Sequence, residues 1–374
     1  MAWDPQRPYD SLPLLPPPID VESKSVLKST ITARAAVAAL DQAARLLPNS
    51  AVLVYAMPLL EAQASSEIEN IVTTADALFK YAQTEEDSDG GDAATQEAFR
   101  YRTALFDGVR AIQTRPLTTG TAERVCSRIT NREMKIRKLA GTRVANPSTG
   151  EIIYSPPEGA NLILDKLANW ESFVHAEDGI DPLVRMAVAH YQFEAIHPFH
   201  DGNGRTGRIL NILMLIEAGL IHAPILYMSR FINVHKHDYY ELLSGVTRDS
   251  AWEPWIIYML EAVRRTADST AAKIAAIRTV QAELHDQARS ATPGGRNAEF
   301  LAVLFEQPYS RIQIVARRCR VSRQTAASWL TDLASAGILT DYKVGRDRLF
   351  LNERFLDVLL RNELEEASEP TFAA

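Results

Sequence analysis

A twelve-residue stretch near the middle of the chain constrains its local fold and its chemistry more than any other feature. From His197 to Arg208 it reads His-Pro-Phe-His-Asp-Gly-Asn-Gly-Arg-Thr-Gly-Arg. Apolar residues with helical spacing lead from Asp181-Pro182 up to it, and an apolar run from Ile209 to Leu215 follows. The pattern predicts a loop between two helices, with the end of the stretch opening the second helix.

The glycines and arginines of this stretch predict a phosphate site at the start of the second helix. The first turn of a helix leaves backbone N–H groups unpaired and carries partial positive charge. Gly202 and Gly204 let the backbone approach an anion without an intervening side chain. Arg205 and Arg208 are three residues apart, so they share a face of that turn and can bind the outer phosphates of a nucleotide.

Two further side chains of the stretch carry chemistry. Asp201 can hold a magnesium ion that bridges phosphate oxygens. Histidine titrates near working pH, so His197 can take a proton from an incoming hydroxyl.

Three other interpretations of the stretch are weaker. Gly202–Gly207 fits the dinucleotide pattern G-x-G-x-x-G, but that pattern needs a preceding strand, and here a helix precedes it. His197, His200 and Asp201 could bind a transition metal, but Pro198 disturbs a helical arrangement and no further ligand cluster stands out. A plain polar connector would not need twelve residues that each suit phosphate chemistry.

The stretch resembles the signature of the Fic family, His-Pro-Phe-x-Asp/Glu-Gly-Asn-Gly-Arg-x-x-Arg, at every specified position. The resemblance covers most of residues 100 to 265, including the segments around Tyr154, before His197 and at Tyr239-Tyr240. It implies a protein adenylyltransferase, with His197 as the general base for a Ser, Thr or Tyr hydroxyl that attacks the α-phosphate of ATP. Asp201 would bind Mg²⁺.

The resemblance also implies the remaining nucleotide-binding residues. They are Gly202, Asn203 and Gly204 through the backbone, Arg205 and Arg208 on the outer phosphates, and Tyr239 and Tyr240 at the adenine. Phe199 would be a buried anchor for the loop. Because Gly204 is retained, the loop resembles those that transfer AMP rather than those of Doc-type relatives, which phosphorylate.

An N-terminal segment resembles the inhibitory motif of some Fic proteins, Ser/Thr-x-x-x-Glu-Gly/Asn. Ser65, Glu69 and Asn70 match it. Spacing alone shows only that Ser65 and Glu69 share a helix face, which is typical of a solvated polar surface. The resemblance implies that Glu69 pairs with Arg208 where the γ-phosphate should bind, so that wild-type activity is low.

The segment from Thr142 to Tyr154 breaks the helical pattern and predicts a hairpin of two short strands around Asn146–Gly150. It resembles the family's flap, whose exposed strand edge would capture a target segment by main-chain hydrogen bonds. The residues expected to contact the target are Ile152, Ile153 and Tyr154. A surface hairpin without a partner is the alternative.

A basic segment lies between Arg311 and Arg348, where eight basic residues face three acidic ones, although the whole chain carries a net charge of -7. Its order of helix, helix, helix and hairpin, and the turn Val321–Thr325 before a helix, resemble a winged helix. DNA binding is one expectation for this segment. Docking or dimerisation is the other, and the pattern does not decide between them.

The composition is that of a soluble globular protein, with 46% apolar and 23% charged residues. The sequence has neither an apolar run long enough to cross a bilayer nor the basic and then apolar start of a secretory signal, so no membrane partner is expected. Cys126 and Cys319 have no metal-type spacing and form no disulfide framework. A cytoplasmic location is the simplest expectation.

We therefore expect a mainly α-helical fold: a Fic helical core with a β-hairpin flap, and a C-terminal winged-helix-like domain. The expected units are an N-terminal helical region with the inhibitory motif at 1–100, the Fic catalytic core at 101–268, a helix and linker at 269–295, and the winged-helix-like domain at 296–374. The run Leu12–Pro18 predicts an arm over the domain surface, Thr84–Gln96 a solvated loop, and Ser290–Arg296 a linker.

The expected function is autoinhibited protein adenylylation with ATP and Mg²⁺. The partner would be a protein with a hydroxyl side chain, and the chain itself is one candidate. A DNA-binding regulator with a nucleotide-sensing core is an alternative, as is an enzyme that removes AMP. The sequence does not name the target, exclude another nucleotide donor or decide whether the chain forms a homodimer.

Overall fold

The computed structural model describes residues 3–47, 50–83, 91–145, 149–344 and 347–361, and most of them are helical. The expectation of a mainly helical fold with small β elements is confirmed. None of the described helices combines the length and the apolar character that a membrane span requires.

The N-terminal part is a series of helices: α1 Lys24–Arg45, α2 Ala51–Tyr55, α3 Met57–Ile68, α4 Ala75–Tyr81, α5 Ala93–Ile112 and α6 Thr119–Thr130. The Ser23 hydroxyl caps α1 by accepting the N–H of Val26 at 3.3 Å. Pro58 lies in the first turn of α3, where its missing N–H leaves no helical bond unmade.

The expectation of a loop over Thr84–Gln96 is wrong at its end. The Asp92 carboxylate accepts the N–H of Thr95 at 2.7 Å and caps α5, so the residues from Ala93 onward are helical. Positions 84–90 lie outside the described residues.

The middle of the chain holds the hairpin and the helices that carry the motif: β1 Val144–Ala145, β2 Ile152–Tyr154, α7 Ala160–Val174, α8 Pro182–Ile196, α9 Asn203–Glu217, α10 Ser229–Val234 and α11 Lys236–Asp249. β1 and β2 pair antiparallel, as predicted, and the turn at 146–148 lies outside the described residues. From Leu183 to Ile196, every residue of α8 except Glu194 is buried. A helix that is buried on nearly all sides forms the centre of the core.

A long helix, α12 Trp252–Ala291, packs along α1 and crosses position 268 without a break. The segment Ser290–Arg296, expected to be a linker, is instead the end of α12 and a 3₁₀ turn, Pro293–Arg296. Gly294 packs against the ring of Trp329, and Gly295 against the backbone of Ala288. The glycines allow close packing here rather than chain flexibility.

The C-terminal domain has the elements of a winged helix: α13 Ala298–Val303, β3 Tyr309–Arg311, α14 Ile312–Cys319, α15 Arg323–Ser335, β4 Thr340–Val344, β5 Asp347–Leu351 and α16 Glu353–Leu360. Its antiparallel sheet has the order β3-β5-β4. The hairpin β4–β5 was predicted. Strand β3 was not, because three residues are too few to show an alternating pattern.

The proline-rich N-terminal run is the predicted arm over the domain surface. Leu12 and Leu15 are buried, and the side-chain amide of Asn169 pairs with the N–H and C=O of Leu15 at 2.7 and 2.9 Å. Gln192 of α8 donates to the carbonyl of Pro13 at 2.8 Å. The arm is thus held against the helices that lead into the motif.

The C-terminal domain is tied to both α4 and α12. The Tyr309 hydroxyl of β3 donates to Asp76 of α4, and Lys80 lies 5.4 Å from the centroid of the Tyr309 ring. The Lys273 ammonium of α12 donates to the carbonyls of Val358 and Leu359 at 3.0 and 3.1 Å. Because α4 follows α3 in the chain, the domain is attached next to the helix that ends at Glu69.

Candidate active site

The motif forms a loop between α8 and α9, as predicted, and glycine is required at its turn. Gly202 has φ +77° and precedes the first residue of α9. A Cβ there would lie 3.2 Å from Thr130 Cγ2 and 3.3 Å from the Cys126 sulfur. Because the backbone is left-handed and a Cβ would be tight against both neighbours, glycine is the residue that fits here without strain.

The loop is closed by its own asparagine. The Asn203 Oδ1 accepts the N–H of Phe199 at 2.9 Å, and its Nδ2 donates to the Phe199 carbonyl at 2.8 Å. Phe199 is completely buried, as expected. No side chain among the described residues caps the start of α9. The Asn203 side chain therefore bonds within the loop and does not occupy the backbone N–H groups that open α9, which suit an anion.

His197 lies at the junction of α8 and the loop. It is half-buried and has the left-handed backbone angle φ +50°. Burial lowers the pKa of His197 to about 4, and the nearby Arg137 guanidinium contributes to the lowering. The imidazole is therefore neutral at physiological pH, as a general base must be.

Arg137 is a residue that the sequence did not reveal. It is completely buried, and its Nε donates to the carbonyl of His197 at 2.8 Å. Its Nη2 donates to the carbonyls of Pro157 and Ile196 at 2.6 and 3.2 Å. An arginine in a short irregular segment belongs to no sequence pattern that predicts such contacts.

The first arginine of the motif is buried and paired. Arg205 forms an ion pair with Glu97 of α5 and lies 3.6 Å from Asp201. Glu97, on a helix 108 residues earlier, was not predicted as a site residue. The pair fixes one face of the guanidinium and keeps its charge next to the first turn of α9.

Asp201 has the position and exposure expected of a magnesium ligand. Its carboxylate is about half exposed and accepts a hydrogen bond from Nη2 of Arg132 at 2.7 Å. No group of three or more His, Cys, Asp or Glu side chains suited to a metal occurs in the described part of the chain. Magnesium commonly binds through one or two carboxylates plus substrate phosphates, so a single aspartate at an anion site fits this ion.

The second arginine meets the N-terminal motif. Arg208 is buried, and its guanidinium donates to the Ser65 hydroxyl at 2.8 Å, the Ser65 carbonyl at 2.9 Å and Glu69 Oε1 at 2.9 Å. Although burial alone would lower the pKa of Arg208, the Glu69 carboxylate raises it above its ordinary value. The structure thus brings together the three residues Ser65, Glu69 and Arg208.

The Glu69 carboxylate also covers the predicted anion site. A Cβ added to Gly204 would collide with Glu69 Oε1 and would lie 3.0 Å from Arg208 Nη1. The carboxylate is about a third exposed. It therefore lies against the first turn of α9, where an anionic oxygen is favoured by the N–H groups and by the arginine.

The end of α3 fixes the direction of Glu69. Glu69 is the last residue before Asn70, which has the left-handed angle φ +61°. The N–H of Ile71 then returns to the carbonyl of Ser66 at 3.0 Å. Asparagine and glycine tolerate this geometry best, which gives a physical reason for either residue after the glutamate. Lys236 holds the same turn by donating to the Ile68 carbonyl at 2.6 Å.

A small cavity of about 140 Å³ lies beside these residues. Its walls include His197, Gly204, Arg208, Tyr239 and Tyr240. The Tyr239 hydroxyl and His190 Nε2 are 2.9 Å apart, which holds this ring in place. Small-molecule sites commonly enclose about 300–1,000 Å³, so the cavity with Glu69 in place is small for a nucleoside triphosphate.

A second carboxyl group projects into this cavity. Glu194 lies one turn before His197, against Gly207, and its Oε1 has no hydrogen-bond partner among the described residues. Burial raises the pKa of Glu194 to about 8. No sequence pattern singles this residue out.

The hairpin forms the rim of the cavity. Ile153 is exposed and lines the cavity together with Val144. Tyr154 turns inward, and its hydroxyl donates to the Ala195 carbonyl at 2.8 Å. Ile152 is half-buried and pairs with Ala145. Of the three predicted contact residues, Ile153 faces outward and Tyr154 anchors the hairpin to α8.

A further buried carboxyl group lies on α3, two turns before Glu69. Glu61 accepts the Tyr101 hydroxyl at 3.1 Å and the Ser229 N–H at 3.2 Å. Burial raises the pKa of Glu61 from 4.5 to about 7. The protonated form is favoured in the folded chain, so its contribution to stability is complete below about pH 4.5 and is lost as the pH rises toward 7.

We predict that Glu61→Gln gains stability relative to wild type as the pH is raised from 5 to 8. The amide of the variant carries no charge that must be buried, and the relative gain should be on the order of 2–3 kcal/mol. Chemical denaturation of both proteins at several pH values measures it. Parallel stability curves over this range would show that Glu61 titrates normally in the folded chain.

Three family models match parts of the chain. The Fic/DOC family N-terminal model matches residues 27–110, and the Fic/DOC family model matches residues 107–215. The C-terminal domain model of the SoFic-like protein adenylyltransferases matches residues 280–355.

Curated relatives share the middle of the chain. The protein adenylyltransferase Fic of Culex quinquefasciatus is 32% identical over 114 residues, which are 30% of this chain and 21% of that protein. A probable protein adenylyltransferase of Aquifex aeolicus is 36% identical over 78 residues, 21% of this chain and 23% of that protein. The chain thus spans about a fifth of the length of these relatives.

A solved structure shares the fold over most of the chain. A Fic family protein from Desulfovibrio desulfuricans G20 aligns with a TM-score of 0.56 over 90% of this chain and 98% of that one, at 18% identity. This likeness shows a shared fold. The complete motif between α8 and α9 and the two Fic/DOC models, which together match residues 27–215, identify the family. The chain belongs to the Fic/DOC family.

Proposed function

We propose that the chain transfers AMP from ATP to a Ser, Thr or Tyr hydroxyl of a protein and that Glu69 holds this activity low. The observation that carries the proposal is the Glu69 carboxylate on Arg208, directly over Gly204 at the start of α9. At the start of α9, the carboxylate thus occupies a type of site that also suits a phosphate. The names of the relatives support adenylyl transfer as the reaction.

In this mechanism the chain supplies a base and an anion site. Neutral His197 takes the proton of the target hydroxyl, whose oxygen forms a bond to the α-phosphorus of ATP. The bond from that phosphorus to the bridging oxygen breaks, and pyrophosphate leaves. The N–H groups of Asn203 and Gly204 bind the α-phosphate oxygens, and the developing charge is stabilised by donors already in place.

The two arginines bind the outer phosphates. Arg205, held by Glu97, lies beside the same helix start. Arg208 becomes available to the γ-phosphate when Glu69 withdraws, because guanidinium groups bind phosphate with paired donors. A magnesium ion on Asp201 would neutralise charge on the phosphates. Arg132 now contacts Oδ2 of Asp201, and it would have to move away if the magnesium ion bound that oxygen.

The rim of the cavity supplies the sites for the target and the adenine. The hairpin would bind a target segment along an open strand edge, with Ile153 exposed beside the cavity. Tyr239 and Tyr240 would contact the adenine, since both line the same cavity. A second copy of the chain is one candidate target, and self-modification would be visible as label on the enzyme.

We predict that Glu69→Gly raises covalent transfer of the α-phosphate label of ATP to protein. A charge-assisted hydrogen bond is worth about 1.5–3 kcal/mol, so freeing Arg208 should raise transfer roughly ten- to a hundredfold. The label should be lost in Glu69→Gly/His197→Ala. Autoradiography with α-labelled and, separately, γ-labelled ATP measures both.

Glu67→Gly is the matched control for this experiment. Glu67 is an exposed acid in the last turn of α3, two residues before Glu69, and Arg208 donates to Ser65 and Glu69 instead. The control should leave transfer at the wild-type level. Transfer of γ-label would instead indicate a kinase, and release of AMP from modified protein would indicate the reverse reaction. No gain of α-label in Glu69→Gly would contradict the proposed restraint.

The winged helix supports a second, separate proposal, nucleic-acid binding. Two of its basic side chains are engaged internally: Arg318 with Glu299 and Glu306, and Arg348 with Asp341. Others are exposed and have no ion pair with any described residue: Arg317, Arg320, Arg323 and Lys343. The three arginines flank the start of α15, the helix that would enter a groove, and the lysine lies on the hairpin that would form the wing.

We predict that Arg323→Ala weakens binding to duplex DNA and reduces its salt dependence, because one phosphate contact is lost. Arg348→Ala is the control, since Asp341 already offsets its charge. Fluorescence anisotropy at several salt concentrations measures both. Absence of salt-dependent binding by the wild type would leave docking or homodimerisation as the role of this domain.

A further inference from the structure

We propose that Arg137 is a positioning residue: it holds the backbone of His197 in its reactive geometry and connects it to the hairpin that would bind the target. The inference rests on the proposed adenylyl transfer, because it concerns the base of that reaction.

Arg137 holds three consecutive carbonyl groups where α8 passes into the motif. The Arg137 guanidinium donates to the carbonyls of Ile196 and His197 at 3.2 and 2.8 Å. Its backbone N–H donates to the carbonyl of Pro198 at 2.9 Å. The peptide groups on both sides of His197 are therefore fixed by Arg137.

His197 needs such support because its backbone is strained. At φ +50° it lies in the left-handed region, which costs a residue with a Cβ on the order of 1 kcal/mol. Relaxation to an ordinary helical angle would turn the imidazole away from the start of α9. Hydrogen bonds to its own carbonyl and to both neighbouring carbonyls oppose that relaxation.

The same guanidinium reaches the exit of the hairpin. Its Nη2 donates to the carbonyl of Pro157 at 2.6 Å, three residues after the end of β2. Tyr154 of β2 makes a parallel connection, from its hydroxyl to the Ala195 carbonyl. A target strand that orders the hairpin would therefore also order the carbonyl groups from Ala195 to His197.

The positive charge of Arg137 also favours the neutral form of His197, which a general base needs. Its guanidinium lies close enough to His197 to lower the pKa of the imidazole, after the larger effect of burial.

The test uses the full chain carrying Glu69→Gly, with Arg137→Met, Arg137→Lys or Lys138→Met added. A displacement of about 1 Å at a reacting group can cost roughly a hundredfold in rate. We expect Arg137→Met to lower kcat about ten- to a hundredfold, with the KM for ATP unchanged. The kcat of Arg137→Lys should lie between those of Arg137→Met and the parent Glu69→Gly, because an ammonium lacks the planar fork that spans several carbonyls.

Lys138→Met removes the same charge from the adjacent, exposed position and should leave kcat unchanged. A second readout is NMR titration of the His197 ring, assigned by its loss in His197→Ala. The pKa of His197 should rise toward its ordinary value in Arg137→Met and stay low in Lys138→Met.

An unchanged kcat in Arg137→Met, or an equal loss in Lys138→Met, would overturn the inference. If Arg137→Met does not fold, as judged by thermal unfolding, Arg137→Lys decides: full kcat overturns the inference, and a reduced kcat at constant KM supports it. Inactivity of Glu69→Gly itself would reject the proposed function instead. The titration of His197 would then test the positioning on its own.

Discussion

The contact on which the rest of the site depends is the one between Arg208 and the end of α3. Arg208 is buried, so its charge needs partners, and here Ser65 and Glu69 provide them. Glu69 can do so only because α3 ends at that residue and Asn70 turns the chain away. The start of α9 is thereby filled by a side chain that a phosphate would have to displace.

Other parts of the fold support this contact from behind. Glu61 and Lys236 attach α3 to the neighbouring helices, and the Tyr309–Asp76 hydrogen bond attaches the C-terminal domain to the helix after α3. On the opposite side of the site, Arg137 and Asn203 hold the loop that carries His197. His197, which we propose as the base, and Glu69, which we propose as the inhibitory group, thus lie on separate elements that meet at the start of α9.

The contiguous part of this site was predictable from the sequence. His197 to Arg208 form one loop and one helix start, so local rules on glycine, caps and helix ends were sufficient for its shape. Arg137 and Glu97 reach the site, and Glu61 supports it from behind, only through tertiary packing, and each is a single charged residue in an ordinary context. The pairing of Glu69 with Arg208 came from the family resemblance, since four-residue spacing alone fits any polar helix face. The misassigned linker at Ser290–Arg296 has a similar cause, because glycines that pack closely and glycines that flex look identical in sequence.

The central claim is that Glu69 and the γ-phosphate compete for Arg208. Calorimetric titration of ATP and of AMP into wild type and Glu69→Gly tests it most directly. ATP should bind the variant about tenfold or more tightly, while the gain in affinity for AMP should be clearly smaller, because AMP has no phosphate that reaches Arg208. Equal tightening of both nucleotides, or no tightening of ATP, would contradict the account.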